Sequence, residues 1–152
     1  MLAQAAVVCL ECEAHTSAVR LAVDGAFSAT FSLWWTEGVT EAKRRFWNDL
    51  GDATQWGAYA VAILLIRALT SYTVIERSRK GTGFDWWLGT DDNLFQGKAR
   101  LEVSGILRGT PRRINNRIKA RMGQTRQSDH LALTAYVVVV EFGTPRAKVV
   151  QR

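Results

Sequence analysis

Three acidic residues stand inside strand-like runs in the middle of the sequence. Glu76, Asp85 and Glu102 each lie in a short apolar or basic run, and turn-forming residues separate the three runs. Asp and Glu are depleted in β-strands, and burying a charge is unfavourable unless a partner compensates it. A bound metal ion is one such partner, so the pattern suggests a metal site.

The spacing around Glu102 indicates which side chains share a face. Alternate residues of a strand point the same way, so Arg100, Glu102 and Ser104 share one face. If the preceding run pairs with this strand as a hairpin, the side chains of Asp85 and Glu102 converge. Two carboxylates and a backbone carbonyl suit Mg²⁺ (or Mn²⁺), a hard cation that prefers oxygen ligands. Such an ion can activate a water molecule and stabilise charge on a phosphate.

Length and composition indicate one globular domain. The chain has 152 residues, of which 47% are hydrophobic and 22% are charged, and this balance is typical of a domain with a sizeable core. The net charge of +6 favours polyanionic partners. Nucleic acid comes first among them, ahead of an acidic protein or a membrane surface.

Cysteine usage and hydropathy predict a cytoplasmic protein. Cys9 and Cys12 lie in a strand-like run without the further ligands that structural zinc requires, so we expect two free thiols. No secretory signal is visible. The most apolar run, residues 56–69, is interrupted by Arg67 and is shorter than the roughly 20 residues of a membrane span, so no membrane partner is expected.

Residues 1–36 predict an antiparallel β-meander. Its first strand is expected around residues 7–12. The second run alternates between apolar and polar or small residues up to Asp24-Gly25, a dipeptide favoured in tight hairpin turns. Residues 27–35 then alternate with a clean period of two, which predicts a strand with one buried face.

A second region, residues 40–145, is predicted to alternate helices and strands. Thr40 is expected to cap a short helix, and Asp52 a second helix that lasts to about Leu69 and is apolar nearly all round. The three acidic strands follow, with a second loop at residues 90–97. Thr110 as N-cap and Pro111 at the first helical position predict a helix to about residue 123. Residues 133–142 predict a strand buried on both faces, before a turn at residues 143–145 and a basic tail.

The resulting order α-β-β-β-α-β, with G-F-D-W on the second strand and L-E-V-S-G on the third, resembles the PD-(D/E)XK nuclease superfamily. That superfamily includes many restriction endonucleases and the archaeal Holliday-junction resolvases. The resemblance covers residues 52–142 and implies an α/β, restriction-endonuclease-like core with a mixed sheet. It implies that Asp85 and Glu102 hold the metal ion, and it makes Asp52 and Glu76 candidates for a further carboxylate.

The family pattern also has a Lys two residues after the third-strand acid, where this chain has Ser104. A Ser hydroxyl can hydrogen-bond a water molecule but brings no charge. The resemblance therefore leaves Lys80, Lys98 and Arg100 as alternatives for the missing cation. It also leaves two functions open: metal-dependent hydrolysis of nucleic acid, or a non-catalytic binding or assembly subunit that keeps the fold.

A simpler interpretation of the acidic residues needs no metal. Asp85 follows a glycine-rich turn and could serve as a turn residue. Glu102 could pair with Arg100, Arg77 or Arg79 in a surface ladder of charges.

The predicted helix after Thr110 carries a one-sided basic cluster. Arg126 lies just beyond this helix, and no acidic residue occurs between Pro111 and Asp129, whereas a solvated face usually mixes signs. Such a cluster neutralises phosphates and gives salt-sensitive, sequence-independent binding. Its residues are Arg112, Arg113, Arg117, Lys119, Arg121 and Arg126. We expect nucleic acid as the partner, DNA ahead of RNA, although an acidic protein would suit the same cluster; the meander could serve a homodimer or a protein complex.

Overall fold

A computed structural model describes residues 1–92 and 95–152 of the chain. Its elements in chain order are α1 (Leu2–Cys12), β1 (Val19–Gly25), β2 (Ala29–Leu33), α2 (Glu41–Phe46), α3 (Leu50–Leu69), β3 (Thr73–Arg77), β4 (Trp86–Gly89), β5 (Ala99–Ile106), α4 (Pro111–Thr125), a 3-10 segment (Arg126–Leu131), β6 (Ala135–Glu141) and β7 (Arg146–Gln151). Across this described part, no helix combines the length and the apolar character that crossing a bilayer requires.

The strands form one mixed sheet in the order β2-β1-β7-β6-β5-β4-β3. The pairs β1/β7 and β5/β6 are parallel, and the other neighbours are antiparallel. Parallel neighbours need a crossover connection, and α4 supplies it between β5 and β6. Helices α1 and α3 pack on one face of the sheet and α4 packs on the other. The α/β class with a mixed sheet, predicted from the sequence, is therefore confirmed.

The N-terminus is a helix, so the prediction of a first meander strand at residues 7–12 was wrong. Its Ala and Leu residues are strong helix formers, and a short apolar run does not separate strand from helix by periodicity. Ala5, Ala6 and Cys9 are buried on one helical stripe that packs against α3. Gly57 of α3 permits the close approach, because a Cβ there would lie 2.9 Å from the Ala6 Cα. Both cysteines are free thiols, as predicted, with Cys9 buried and Cys12 exposed.

The other two strands predicted for the N-terminal region do form a hairpin. β1 and β2 are antiparallel, and Leu21 and Val23 are buried while their neighbours are exposed. The paired register ends at Val23 and Ala29, so the connection is longer than the two-residue turn predicted at Asp24-Gly25. The N-terminal region is thus a helix followed by one hairpin.

The basic tail is a strand, which corrects a second prediction. β7 lies between β6 and β1, antiparallel to the first and parallel to the second. Ala147 and Val149 are buried under α1 and α3, while Lys148 between them lies on the opposite face and donates to Asn115 of α4. This strand joins the N-terminal hairpin to the rest of the sheet, so the two regions share one sheet.

N-cap side chains fix the starts of helices α2 and α3. Thr40 Oγ1 accepts a hydrogen bond from Lys43 N at 3.3 Å, which confirms the predicted start of α2. Asp49, rather than the predicted Asp52, caps α3, because its Oδ1 accepts from Gly51 N at 2.8 Å and from Asp52 N at 3.2 Å. Helix α3 ends at Leu69 as predicted and packs against α1 and β5.

The second half of the chain follows the predicted order. Thr110 caps α4 through a 3.3 Å hydrogen bond from Arg113 N, and Pro111 is the first helical residue. The helix ends at Thr125, two residues beyond the prediction, and every residue of β6 is buried. The loop predicted at residues 90–97 includes residues 93 and 94, which lie outside the described residues.

Candidate functional site

Strand β5 buries a row of polar side chains on the side that faces α4. Arg100, Glu102 and Ser104 are 3%, 1% and 0% exposed, while Leu101 and Val103 between them join the apolar core under α1 and α3. The predicted alternation is therefore correct. A buried polar group is destabilising unless it has partners, so each of the three needs a hydrogen-bond acceptor or donor from α4 or its surroundings.

Two arginines of α4 supply partners for this row. Arg117 Nη1 donates to Ser104 Oγ at 2.8 Å, and Arg121 Nη1 donates to Glu102 Oε1 at 3.1 Å. Residues four apart share one helical face, so both guanidinium groups point at β5. Burial and the neighbouring guanidinium groups lower the pKa of Arg117. The sequence placed both arginines in the predicted phosphate-binding cluster, and in the structure they hydrogen-bond to side chains of β5.

Asp85 lies immediately before β4 and is held by two donors. Its Oδ2 accepts from Val103 N at 2.8 Å, and its Oδ1 accepts from the Tyr59 hydroxyl at 2.9 Å. Burial and the Asp85 charge raise the pKa of Tyr59 to about 12, so this hydroxyl keeps its proton near neutral pH. The donors fix the orientation of the carboxylate at the point where β4 begins.

The structure brings Asp85 and Glu102 together, as the predicted hairpin requires. Burial, and next the charge of Asp85, raise the pKa of Glu102 to about 8, although Arg121 acts in the opposite direction. Glu102 Oε2 is buried and has no hydrogen-bond partner among the residues that the structure describes. A protonated Glu102 can donate a hydrogen bond to Asp85, whereas a charged Glu102 leaves Oε2 without a donor from the described residues.

A cleft of about 740 Å³ opens beside Asp85. The connection between β3 and β4 forms one wall and brings Arg77, Arg79 and Lys80 to the cleft. The C-terminal half of α4 and the 3-10 segment that follows it form the other wall with small or neutral side chains: Ala120, Gly123, Gln124 and Gln127. Asp85 is the single acidic residue among the described lining, so the cleft is cationic with one carboxylate at its side. Such a concave basic surface attracts anions.

Gly83 permits the two walls of the cleft to approach closely. Its φ is +82°, a left-handed conformation that L side chains rarely adopt. A Cβ at this position would also collide with the main-chain carbonyl of Gln124. Glycine therefore permits the loop after β3 to close onto α4, and this contact bounds the cleft.

Gln55 of α3 is a site residue that the sequence did not reveal. Its Nε2 donates to Val103 O at 3.0 Å, and its Oε1 accepts from Gly105 N at 3.3 Å. The side-chain amide thus occupies the edge of β5 that β4 leaves unpaired. Gln55 and Tyr59 are four residues apart, and two polar side chains on one face of an otherwise apolar helix were the available signal.

The three residues considered for the missing cation lie in different places. Lys80 is exposed and lines the cleft. Lys98 pairs with Asp92, at 2.6 Å between Nζ and Oδ2. Arg100 is buried and donates to Ser128 Oγ at 2.7 Å and to two main-chain carbonyls. The cation that contacts Glu102 is Arg121, which sequence spacing could not select.

The two candidates for a further carboxylate lie apart from the cleft. Glu76 is exposed on β3, at the sheet edge, and its register partner is Trp87. Asp52 is in the first turn of α3, where it lines a separate hollow beside Met1 and Phe46. Neither residue lines the cleft beside Asp85.

The donors for a metal ion are therefore two carboxylates. Within residues 1–92 and 95–152, no three or more His, Cys, Asp and Glu side chains form a group that could hold a metal ion. Asp85 and Glu102 offer oxygen ligands of the kind that Mg²⁺ prefers, and that ion commonly completes its coordination with water. The buried Glu102 Oε2 fits such an ion, because a cation would stabilise the charged form of a carboxyl group that burial otherwise keeps protonated near neutral pH.

The remaining basic residues of the predicted cluster are exposed around α4. They are Arg112, Arg113, Lys119 and Arg126. Arg113 Nη1 donates to the carbonyl of Arg108 at 2.8 Å, which leaves its other donors available. These side chains extend the basic surface along the helix that also forms one wall of the cleft.

No protein-family model, no curated protein and no solved structure matches this chain. The site combines a buried carboxyl pair, two arginines that contact β5 and a cationic cleft.

Proposed function

We propose that this chain hydrolyses phosphodiester bonds of nucleic acid with a divalent metal ion held by Asp85 and Glu102. The observation that carries the proposal is their convergence beside the basic cleft, where the buried Glu102 Oε2 meets no hydrogen-bond donor from residues 1–92 and 95–152. Two carboxylates placed together at a cationic surface suit both a hard divalent ion and a phosphate. DNA ahead of RNA remains the expected substrate class.

Each residue has a defined task in this proposal. Tyr59 and the Val103 N–H hold the Asp85 carboxylate in one orientation, and Arg121 orients Glu102. Arg77 and the other basic residues of the cleft would neutralise the phosphates. When bound, the metal would supply Lewis-acid chemistry: activation of water and stabilisation of charge on the phosphate.

The order of elements gives further support. α3, β3, β4, β5, α4 and β6 follow one another, β3-β4-β5 are antiparallel, and β6 is parallel to β5. This order agrees with the resemblance to PD-(D/E)XK nucleases noted from the sequence. Arg121 also brings a positive charge to the carboxyl pair from α4, which offsets the absence of Lys at position 104.

A second candidate function is nucleic-acid binding without catalysis, as a subunit of a larger complex. The Ser104 hydroxyl is fully buried and bonded to Arg117, so it is not free to orient a water molecule in the cleft. Arg121 already donates a hydrogen bond to Glu102, and burial keeps that carboxyl protonated near neutral pH, so the carboxyl pair can persist without a metal ion. The basic cleft and the exposed residues around α4 would still bind phosphates.

A cleavage assay in Mg²⁺ and in Mn²⁺ tests the proposal. Plasmid, single-stranded DNA, branched DNA and RNA would be incubated with wild type, Asp85→Asn, Glu102→Gln and Glu76→Gln. We expect wild type and Glu76→Gln to cut at equal rates and the other two variants to be inactive. Glu76→Gln is the matched control, because Glu76 is an exposed acid outside the cleft.

The outcomes separate the two candidates. Metal-dependent cutting that disappears in Asp85→Asn and Glu102→Gln supports hydrolysis and excludes a contaminating nuclease. A folded wild-type protein that binds these nucleic acids but cuts none of them would replace hydrolysis with the binding function.

A further inference from the structure

The guanidinium of Arg77 rests against three aromatic rings at the edge of the cleft. Its Cζ lies 5.3 Å from the ring centroid of Trp56, 5.8 Å from that of Tyr59 and 5.5 Å from that of Trp86. The rings brace one another edge to face, with centroids 6.0 Å apart for Trp56 and Tyr59 and 5.5 Å apart for Tyr59 and Trp86. Aromatic faces attract a cation at this range, so the side chain has a preferred position.

Among the described residues, the Arg77 guanidinium has aromatic rings beside it but no hydrogen-bond acceptor. In the described part of the chain, Arg77 makes no side-chain hydrogen bond and no ion pair, and its side chain is exposed. Aromatic contacts do not use up the N–H donors of the planar fork, which is suited to bidentate contact with a phosphate or carboxylate. Arg100, Arg117 and Arg121 differ, because protein oxygens accept hydrogen bonds from each of them.

Tyr59 connects Arg77 to the carboxyl pair. The ring of Tyr59 contacts the guanidinium, and its hydroxyl donates to Asp85 Oδ1 at 2.9 Å. Arg77 and Asp85 also line the same cleft, with Arg79 and Lys80 close in sequence on the same wall. An anion on Arg77 would therefore lie next to Asp85 and within the field of further positive charges.

We infer that Arg77, presented by Trp56, Tyr59 and Trp86, binds a phosphate group of a nucleic-acid strand beside the Asp85 carboxylate. The inference takes its ligand class from the proposed function but needs neither a metal ion nor cleavage. The rings limit the conformations of a long side chain before the ligand arrives, so less conformational entropy is lost on binding. Arg suits the position better than Lys, because its planar fork can both stack on rings and make two parallel hydrogen bonds to phosphate.

Fluorescence anisotropy in EDTA tests the inference without catalysis. A labelled single-stranded oligonucleotide would be titrated with wild type, Arg77→Gln and Arg20→Gln at several salt concentrations. Arg20→Gln removes the same charge from an exposed position on β1 and is the matched control. We expect Arg77→Gln to weaken binding about tenfold and to lower the salt-dependence slope by about one, as for the loss of one phosphate contact. Arg20→Gln should bind like wild type.

Two further variants test the role of the rings. Trp56→Leu removes the ring nearest to the guanidinium, and Arg77→Lys keeps the charge but removes the planar fork. Both should bind between wild type and Arg77→Gln, and thermal unfolding would verify that Trp56→Leu is folded. Equal affinity and salt slope for Arg77→Gln and Arg20→Gln would overturn the inference, as would a wild-type protein that binds no oligonucleotide.

The end chemistry of the oligonucleotide locates the phosphate. Strands with a 5′-phosphate, a 3′-phosphate or hydroxyl ends would be compared in wild type and Arg77→Gln. A gain from one terminal phosphate that is lost in Arg77→Gln assigns the site to a strand end, and equal binding of all strands that depends on Arg77 assigns it to an internal phosphate. Binding that depends on Arg77 without any cutting would refute the proposed hydrolysis and leave this site in place.

Discussion

The Asp85 carboxylate accepts a hydrogen bond from the main-chain N–H of Val103, with 2.8 Å between Oδ2 and the nitrogen. β4 begins one residue later, so no strand residue is available to pair with this N–H. The carboxylate thus replaces a β-ladder acceptor at the edge of β5. The same side chain that is proposed to bind a metal ion also completes the sheet, and substitutions at Asp85 affect both properties.

Substitution of Asp85 separates the two roles. Asp85→Ala leaves the Val103 N–H without its acceptor, and we expect a loss of about 1–3 kcal/mol in the free energy of unfolding. In Asp85→Asn, the amide oxygen can accept from Val103 and the amide NH₂ can donate to the Tyr59 hydroxyl, so the loss should be about 1 kcal/mol or less. Urea denaturation measures both values. Equal losses for the two variants would contradict the ladder role.

We expect Glu102 to make the free energy of unfolding depend on pH in the absence of metal. Its pKa in the folded protein is about 8 against an ordinary value of 4.5, so the folded state retains a proton that the unfolded state has lost. The contribution of Glu102 is greatest below pH 4.5 and is lost as pH rises towards 8. One such proton gives a slope of at most about 1.4 kcal/mol per pH unit.

Glu102→Gln removes this titration and measures it. Gln has a similar shape and stays neutral, so the stability of the variant relative to wild type should increase with pH between 4.5 and 8 and then level off. Urea denaturation in EDTA across that range gives the difference. A constant difference over the whole range would show that Glu102 does not hold its proton.

Arg121 is expected to matter most when Glu102 is charged. Below pH 8 the Glu102 carboxyl keeps its proton, so Arg121→Gln should cost little stability at pH 6. At higher pH the variant leaves a buried carboxylate without its cation, and the loss should be about 1–2 kcal/mol larger at pH 9 than at pH 6. Arg117→Gln is the control, because its partner Ser104 is neutral and its cost should not vary with pH.

Substitution by alanine is expected to have opposite effects on stability at two glycines. At Gly105 a Cβ would collide with the main-chain carbonyl of Thr54, whose carbon would be 2.8 Å away, so α3 would have to shift away from β5. Gly105→Ala should destabilise the protein by about 1–3 kcal/mol. At Gly123, in α4, a Cβ would meet no described neighbour within 4 Å, and Gly123→Ala should stabilise the helix by about 0.5–1 kcal/mol. Thermal and urea unfolding of both variants checks the contrast.

Local patterns predicted much of the fold. The Thr40 and Thr110 caps, the end of α3 at Leu69 and the fully buried β6 were all correct. Each depends on a few neighbouring residues, such as a hydroxyl before a helix or a run of valines. The errors at α1 and β7 have one cause: short segments of ambiguous period take their structure from the helix or strands they contact.

The candidate site was also predicted only in part from local patterns. Alternation along β5 sufficed to place Glu102 and Ser104 on one face, and an expected hairpin sufficed to place Asp85 near Glu102. The sequence did not identify Arg121 as the partner of Glu102. It also did not identify Gln55 and Tyr59 of α3 as partners of β5 and Asp85.

The sequence by itself determined the residue types, their alternation and the order of the elements from Thr40 to Glu141, because those follow from local hydrogen bonding and side-chain periodicity. The tertiary structure alone decided which cations enter the site. The number of residues that separate Arg121 from Glu102, or Arg77 from Trp56, does not predict that the two side chains are in contact. Those contacts arise when α3 and α4 pack on opposite faces of one sheet and bring side chains from separate segments together.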